Sequence, residues 1–290
     1  MITDMDLYAS RVGSSSRIVE REDPVVYGTQ QGPLTEEQLQ FYDRTGYLYL
    51  ENFFQPAEVD QMKWTKDQLW HDSQHDKRPE VIREWESEII RSIFAVHRDS
   101  PYFSKLASSE RLKAIAGQIL GSDTYITQSR INYKSGFYGQ EFYWHSDFET
   151  WHVEDGMPRM RSLSMSIALT PNYPHNGPVM VIPGSHRYFV SCIGQTPKNH
   201  FTQSLRKQMF GTPDTESVEW LVKHCQHIQM PTGDAGSLLL FDCNIMHGSN
   251  SNISPDPRSN VFFVFNSVDN RLQAPFSGQA PRPEYIATRP

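Results

Sequence analysis

Five short segments decide the fold of this chain. They read TYITQSRINYK at residues 124–134, SLSMSIALT at 162–170, GPVMVIPGS at 177–185, GSLLLFD at 236–242 and SNVFFVFNSV at 259–268. Each is rich in β-branched, aromatic or other apolar residues and is bounded by Gly, Pro, Ser or Asn, which is typical of β-strands. Helices do not alternate with them, which disfavours a parallel doubly wound sheet. The pattern predicts a mainly β fold, a double-stranded β-helix or cupin-like jelly roll with flanking helices.

Helix signals lie upstream of these segments. Thr35 and Gln38 form a capping box, in which each side chain satisfies a backbone donor of the other residue. The helix that begins there is predicted to end at Gly46, because glycine readily adopts the left-handed conformation that closes a helix. A strand over residues 47–50 and a second helix after Pro56 are predicted to follow.

A third helix is predicted from Ser109 to Leu120, with an apolar face and Gly121 as its terminator. The polar, partly Ser-rich residues 1–33 are predicted to be a flexible N-terminal arm. No internal repeat and no linker interrupt the remainder, so residues 34–290 are predicted to be a single domain.

The bulk properties favour a small-molecule enzyme. The 290 residues include 27 Lys and Arg against 34 Asp and Glu, a formal charge of -7, and contain no basic run that would indicate nucleic-acid binding. The three cysteines (Cys192, Cys225 and Cys243) are too few and too dispersed for a disulfide framework. No stretch approaches the roughly 20 apolar residues of a membrane span, and the first residues carry several acids and no apolar segment of the kind that marks a secretory signal. We predict a cytoplasmic protein with no membrane partner, its cysteines serving as packing residues.

The segment FYWHSDFETWH at residues 142–152 has the highest density of chemically capable side chains. His145 and Asp147 lie two apart, and on a strand such residues project from the same face. His247 follows the apolar strand GSLLLFD. Two imidazoles and one carboxylate on one side of an ion form the facial triad of non-haem Fe(II) oxygenases, which leaves positions open for other ligands. His145, Asp147 and His247 are therefore candidate metal ligands and catalytic residues.

Arg258 strengthens this interpretation, because a His-x-Asp pair alone arises by chance in many chains. It lies eleven residues after His247, at the start of a predicted strand. A 2-oxoglutarate that chelates iron through its keto-acid end needs a cation for its far carboxylate, and arginine offers a two-pronged donor. The four residues together predict an Fe(II)- and 2-oxoglutarate-dependent dioxygenase.

The chain resembles the phytanoyl-CoA dioxygenase superfamily and, within it, the ectoine hydroxylases. The resemblance extends over most of the chain, through GYLYLENFF at residues 46–54, GPVMVIPGSH at 177–186 and MHGSNSNISPDPRSN at 246–260. The most specific match is FYWHSDFETWHVEDGMP at 142–158. The carboxylate position of the triad is filled by Asp147, whereas related halogenases lack that carboxylate.

The resemblance implies hydroxylation of ectoine, a compatible solute of osmotic stress, to 5-hydroxyectoine, with 2-oxoglutarate and O2 consumed and succinate and CO2 released. It assigns the iron to the triad, and 2-oxoglutarate to Asn132, Phe142, Ser249 and Arg258. It assigns ectoine to Gln128, Trp151, Ser166, Phe241 and Phe262, with Thr150 and Arg130 as weaker candidates. Strand alternation agrees in part, since residues 128, 130 and 132 share one face, as do 258 and 262. A homodimer is expected from the family alone.

Two alternatives remain open on the residues. The same chemistry could act on an acyl-CoA or an amino acid, although a CoA ester would favour a basic patch at the entrance, and none is evident. A non-oxidative cupin-type metal protein would usually offer more histidines and would not need Arg258. Three further histidines, His152, His175 and His186, are not spaced to complete the triad and are interpreted as structural or supporting residues.

Overall fold

The computed structural model describes residues 6–29, 31–85 and 87–290. The strands are β1 Arg17–Glu20, β2 Tyr47–Leu50, β3 Val81–Arg83, β4 Ile90–Phe94, β5 Thr124–Lys134, β6 Phe142–His145, β7 Ser162–Ala168, β8 Val179–Val181, β9 Tyr188–Ser191, β10 Leu238–Asp242, β11 His247–Ser249 and β12 Arg258–Ser267. The helices are α1 Glu36–Thr45, α2 Pro56–Asp72, α3 Val96–Asp99, α4 Pro101–Ala107, α5 Glu110–Leu120, α6 Asp147–Thr150, α7 Phe201–Ser204 and α8 Thr215–His224. A π-helical turn, Trp151–Asp155, continues α6.

Two antiparallel sheets form the jelly roll predicted from the sequence. The larger has seven strands in the order β2-β10-β7-β12-β5-β4-β3, and the smaller has three in the order β6-β11-β8. Every strand pair is antiparallel. Strands distant in sequence thus become neighbours, and residues from both sheets meet in the interior between them.

Side-chain alternation along β7 and β12 separates the packing face of the large sheet from its inner face. Leu163, Met165 and Ile167 of β7 belong to the main apolar core together with residues of α1, α2 and α5. The intervening serines point the other way, because successive side chains on a strand alternate between faces. In β12 the core member Phe263 follows Phe262, which lines the interior cavity. Helices therefore cover one face, and the other is free to build a site.

Local signals placed the first helices correctly. Thr35 caps α1, the capping box with Gln38 is present, and Gly46 closes the helix with a φ of 78°. A Cβ at position 46 would lie 2.5 Å from Nδ1 of His186, so this glycine is required by close packing as well as by its conformation. The third predicted helix is α5, with Ser109 at its N-cap and Gly121 in the left-handed conformation at its end.

The N-terminal segment differs from the flexible arm predicted for residues 1–33. Arg17–Glu20 pairs with β9, and the ring of Tyr8 is buried against Phe148 and Phe189. The polar composition misled the prediction, because the polar side chains of this segment find buried partners elsewhere in the chain. Residues 1–5 and Gln30 lie outside the described residues.

The cysteines are packing residues, as predicted. All three are free thiols. Cys192 and Cys243 are buried, and Cys225 lies half-buried against a small apolar cluster that includes Leu221. Burial raises the pKa of the Cys225 thiol to about 11.

Candidate metal centre and active site

The three predicted metal ligands converge at one end of the small sheet. His145 ends β6 and His247 begins β11, and the two are register partners in neighbouring strands. Asp147 Oδ1 lies 3.7 Å from His145 Nε2, and Asp147 Oδ2 lies 3.9 Å from His247 Nε2. One atom from each residue can be chosen so that all lie within 4.8 Å of one another, and all three residues are buried.

Asp147 does not share the strand of His145, contrary to the prediction; it is the first residue of α6. The intervening Ser146 keeps an extended backbone, with φ −103° and ψ 130°, so the two side chains still emerge on the same side. Ser164 Oγ donates to Asp147 Oδ2 at 3.4 Å and adds a contact from β7.

Backbone carbonyls orient both imidazoles toward the shared space. His145 Nδ1 donates to the carbonyl oxygen of Tyr143 at 2.7 Å, and His247 Nδ1 donates to that of Ile245 at 3.0 Å. Each bond leaves the lone pair of Nε2 free for a metal. Burial, and next the neighbouring His247, lower the pKa of His145 to about 3, so this ring is neutral near pH 7. The donor set fits Fe(II) in the two-histidine, one-carboxylate arrangement.

Arg258, the residue predicted to anchor 2-oxoglutarate, lies in the same cavity as His145 and His247. It is 3% exposed, and its Nη1 donates to Asn260 Oδ1 at 3.2 Å. Among the described residues no carboxylate pairs with it, and its Nε has no acceptor. Burial lowers the pKa of Arg258 to about 10, and the nearby charge of Arg91 acts in the same direction. A buried cation without a counter-ion is costly, which fits a site for an anionic ligand.

Two further basic residues of this cavity, Lys134 and Arg91, were missed by the sequence analysis. Lys134 Nζ donates to Ser249 Oγ at 2.8 Å and to the Asn250 carbonyl oxygen at 2.6 Å. Lys134 lies on the same face of β5 as residues 128, 130 and 132, so strand alternation could have identified it from the sequence. Arg91 comes from β4, pairs with Glu84 at 2.9 Å and stacks over the Phe142 ring with its guanidinium carbon 4.2 Å from the centroid. No sequence signal pointed to Arg91.

A second cavity adjoins the first and is lined by His145 and Asp147. Its walls include the predicted residues Gln128, Arg130, Asn132, Phe142, Thr150 and Trp151. Gln128 Oε1 accepts a hydrogen bond from Arg130 Nη1, while Gln128 Nε2 donates to the Ile286 carbonyl oxygen at 2.8 Å. The Arg130 guanidinium lies 4.7 Å from the centroid of the Phe262 ring. Burial lowers the pKa of Arg130, the attraction of Asp147 opposing the shift.

Two predicted substrate residues lie behind the walls of these cavities. Ser166 Oγ accepts from Asn260 Nδ2 at 2.9 Å, so it supports the side chain that Arg258 contacts. The Phe241 ring packs against the His247 ring, with their centroids 5.0 Å apart. Neither lines either cavity.

The sequence analysis gave no role to several wall residues of the second cavity. They are Phe94, Glu154, Ser204, Leu205, Gln208, Phe210 and Arg282. Four of them lie between residues 204 and 210, a stretch without the periodic pattern that marks a strand or helix. Their position depends on how that stretch folds back over the barrel.

The other three histidines have structural partners, in agreement with their interpretation. His152 contacts the Met157 carbonyl oxygen and Asp6, and His186 Nε2 donates to the Asp43 carbonyl oxygen at 3.0 Å. His175 lies at the surface beside Asp256.

Comparison with known proteins agrees with this geometry. The family model for phytanoyl-CoA dioxygenase (PhyH) matches residues 42–260, a range that contains the triad and Arg258. The ectoine dioxygenase of Bordetella bronchiseptica is 53% identical over 286 residues, which cover 98% of this chain and 92% of that relative.

Two crystal structures of EctD from S. alaskensis are similar to this chain. One, with 2-oxoglutarate and 5-hydroxyectoine, has a TM-score of 0.89 at 46% identity and covers 98% of this chain and 95% of the other. The other, with bound Fe, has a TM-score of 0.87 at the same identity and coverage. Within the described part of the chain, none of the helices combines the length and apolar character that a membrane crossing requires. The matched family model and the near full-length similarity place this chain in the phytanoyl-CoA dioxygenase family.

Proposed function

We propose that this protein is an Fe(II)- and 2-oxoglutarate-dependent dioxygenase that hydroxylates ectoine to 5-hydroxyectoine and releases succinate and CO2. The observation that carries the proposal is the buried triad of His145, Asp147 and His247 beside Arg258, a buried cation with no carboxylate partner among the described residues. The similarity to ectoine dioxygenases over nearly the whole chain supports the substrate.

The cosubstrate is proposed to occupy the cavity that contains Arg258. Iron, when bound by the triad, supplies activation of O2 and oxidative decarboxylation of 2-oxoglutarate. Arg258 offers its two-pronged donor to the far carboxylate, and the Ser249 hydroxyl, held by Lys134, lies on the wall of the same cavity. Asn132 and Phe142 line both cavities, which suits groups that separate cosubstrate from substrate.

The substrate is proposed to occupy the second cavity, on the Trp151 side of the triad. Ectoine carries a carboxylate and a delocalised amidinium on a small ring. Arg130 is a half-buried cation available for the carboxylate, and Gln128 holds its guanidinium in place. The face of Trp151 suits the amidinium, since cations are attracted to aromatic faces. Thr150 completes the wall. The ring of Phe262 lines the first cavity and packs against the Arg130 guanidinium, so it supports the substrate site through Arg130. Ser166 and Phe241 contact Asn260 and His247 and support the site from outside both cavities.

The burial of the site serves the chemistry as well as binding. Trp151 is 4% exposed, and together with the half-buried cover residues near 204–210 it limits the access of water to the reacting carbon. Exclusion of water protects a reactive oxidant from side reactions. The protein contributes placement and exclusion of solvent, while metal and cosubstrate supply the oxidising power.

Turnover of 2-oxoglutarate with and without ectoine tests the proposal. Purified protein is incubated with Fe(II), ascorbate and 2-oxoglutarate, and succinate and 5-hydroxyectoine are quantified by NMR. We expect stoichiometric formation of both with ectoine. L-proline is the matched control, because it retains a ring and a carboxylate but lacks the amidinium, and we expect little hydroxylated product. Turnover driven by another solute but not by ectoine would contradict the substrate, and absence of any 2-oxoglutarate turnover would contradict the reaction class.

Cellular placement and assembly belong to the same proposal. We propose that the enzyme is cytoplasmic, because its three free cysteines suit a reducing compartment. We propose that it has no nucleic-acid partner, because its formal charge is -7 and its sequence contains no basic run. A homodimer and a single domain over residues 34–290 are proposed on the family resemblance and the chain pattern, and size-exclusion chromatography with light scattering tests the dimer.

A further inference from the structure

A buried ionic cluster joins the N-terminal segment to the helical segment that follows Asp147. Arg11 uses both prongs of its guanidinium on Glu149, with Nε donating to Oε1 at 2.9 Å and Nη2 donating to Oε2 at 2.7 Å. Ser10 Oγ donates to the same Glu149 Oε1 at 2.6 Å. Arg11 has a φ of 59°, an uncommon left-handed conformation for a residue other than glycine. The chain thus adopts an unfavourable backbone conformation at the residue that delivers this guanidinium.

The same guanidinium reaches two other segments. Its Nη1 donates to Glu154 Oε1 at 2.6 Å and to Thr196 Oγ1 at 3.0 Å. The side chains of Arg11, Glu149 and Glu154 are 2%, 1% and 6% exposed. Removing one partner from such a buried pair leaves an uncompensated charge, so the contacts hold their segments firmly.

The residues between Glu149 and Glu154 form part of the wall of the proposed substrate cavity. Thr150 and Trp151 line that cavity, and Arg11 Nη2 also donates to Thr150 Oγ1 at 3.3 Å. Arg11 itself lines neither cavity beside the triad. The wall includes the π-helical turn Trp151–Asp155, a rare conformation that occurs often at functional sites. Arg11 therefore braces this wall from behind at both of its ends.

The cluster also meets the segment that covers the cavity. Gly211 has a φ of 71°, and a Cβ there would collide with Nη2 of Arg11 and lie 2.7 Å from Oε2 of Glu149. Gln208 and Phe210, just before this glycine, line the same cavity. One arginine thus contacts both the wall and the base of the cover.

The metal and the proposed cosubstrate end have other supports. The Phe148 amide donates to the Cys243 carbonyl oxygen at 2.8 Å, which holds the chain beside Asp147 independently of Arg11. Arg258 and Ser249 lie on β12 and β11 and have no hydrogen bond to the cluster. Loosening the cluster should therefore affect the substrate wall more than the iron or 2-oxoglutarate.

We propose that Arg11 is a positioning residue that holds Thr150 and Trp151 in the substrate wall, and that it thereby keeps consumption of 2-oxoglutarate coupled to hydroxylation. The inference rests on the proposed function for its enzymatic part. The N-terminal segment is, in this view, a component of the active-site architecture.

The enzymatic test compares Arg11→Ala, Arg11→Lys and Ser10→Ala with the wild type. For Arg11→Ala we expect the KM for ectoine to rise at least ten-fold and the fraction of 2-oxoglutarate turnover that gives 5-hydroxyectoine to fall at least two-fold. The KM for 2-oxoglutarate and the iron content should stay within two-fold. Arg11→Lys keeps the positive charge but loses the two-pronged hydrogen-bond geometry of the guanidinium, so its KM for ectoine and its coupling should lie between those of the wild type and Arg11→Ala. Ser10→Ala leaves no buried charge unpaired and should change the same two parameters less than Arg11→Ala.

Arg159→Ala is the matched control. Arg159 Nε donates to Asp23 Oδ1 at 2.6 Å, so it also ties the N-terminal segment to the chain, but its side chain is 46% exposed and lines neither cavity. We expect coupling and both KM values to stay at the wild-type level in this variant. All enzymes are assayed at the same interval below their own Tm, so that a difference in global stability does not imitate the effect.

Hydrogen exchange by mass spectrometry gives a readout that does not depend on ectoine. In Arg11→Ala, peptides that span residues 147–156 should exchange faster, while peptides from β10 and β11 should exchange as in the wild type. Unchanged exchange at 147–156 in a folded Arg11→Ala overturns the positioning role whatever the substrate is. Equal losses of iron, 2-oxoglutarate and ectoine binding also overturn it and leave Arg11 a general stabiliser. If the wild type does not hydroxylate ectoine but residues 147–156 exchange faster in Arg11→Ala, the positioning role of Arg11 is supported and only the proposed substrate is contradicted.

Discussion

Replacing Arg258 with Met separates ligand binding from fold stability. The guanidinium is buried, has one hydrogen bond to Asn260 and has no carboxylate partner within the described residues. A desolvated charge of this kind destabilises the ligand-free protein, and an apolar side chain of similar length removes that cost. We therefore expect metal-bound Arg258→Met, without 2-oxoglutarate, to unfold at or above the Tm of the wild type.

The loss should appear only when 2-oxoglutarate is added. Truncating one side of a buried charge pair costs about 2–5 kcal/mol, which corresponds to roughly 30- to 5,000-fold in Kd. At a ligand concentration 100 times the wild-type Kd, binding stabilises the wild type by about 2.7 kcal/mol. The same concentration should stabilise Arg258→Met by less than about 0.9 kcal/mol.

Thermal melts under anaerobic conditions measure both effects, with Mn(II) in place of Fe(II) to avoid turnover. Arg258→Lys should recover part of the 2-oxoglutarate shift, because the charge remains but the fork is lost. Arg159→Met changes an arginine outside the cavity and should keep the full shift. A full 2-oxoglutarate shift in Arg258→Met would refute the anchor. A fall of many degrees in the ligand-free variant would show that the charge serves the fold.

Three further predictions concern the triad, the substrate wall and pH. Replacing His145, Asp147 or His247 with Ala should abolish iron retention and activity while the fold stays intact, because two ligands do not hold Fe(II) in an open site. Metal analysis measures the bound iron and circular dichroism checks the fold. A folded variant with the iron content of the wild type would show that the replaced residue is not a metal ligand. Trp151→Ala should impair ectoine hydroxylation while 2-oxoglutarate is still consumed, since an aromatic face contributes about 0.5–2 kcal/mol to a cation; a large fall in Tm with loss of all binding would instead indicate packing alone. Burial lowers the pKa of His145 from 6.5 to about 3 and that of His186 from 6.5 to about 4. Below pH 6.5 the folded protein therefore binds fewer protons than the unfolded chain, and the free energy of unfolding decreases as the pH is lowered. Urea denaturation of the metal-free protein should show a loss of about 1 kcal/mol per group between pH 6.5 and 5.5, and His186→Gln should reduce that slope.

Much of the fold was predictable because its signals are local. The capping box of Thr35 and Gln38 and the closure of α1 at Gly46 depend on residues within one or two helical turns. The strand β7 was predicted from SLSMSIALT, whose serines face the interior between the sheets while its apolar residues face the helices. Such patterns reflect backbone geometry and need no knowledge of distant partners.

The metal centre was also predictable from sequence, since few ligand sets combine two histidines and one carboxylate. The three residues converge as predicted, but their secondary structure differs from the prediction. Asp147 begins a helix and does not share the strand of His145, and only the extended backbone at Ser146 preserves the predicted geometry.

The sequence by itself determined the β architecture, the helix boundaries near Gly46 and Gly121, and the candidate metal ligands His145, Asp147 and His247. Tertiary structure alone decided which distant side chains surround them. Arg11 and Glu149 are 138 residues apart, and Arg91 of β4 lies over the ring of Phe142, which belongs to the other sheet. A buried ion pair between distant segments leaves no periodic pattern in the sequence, because either residue alone resembles a solvated surface charge. Its energy depends on burial, and burial exists only once the chain has folded.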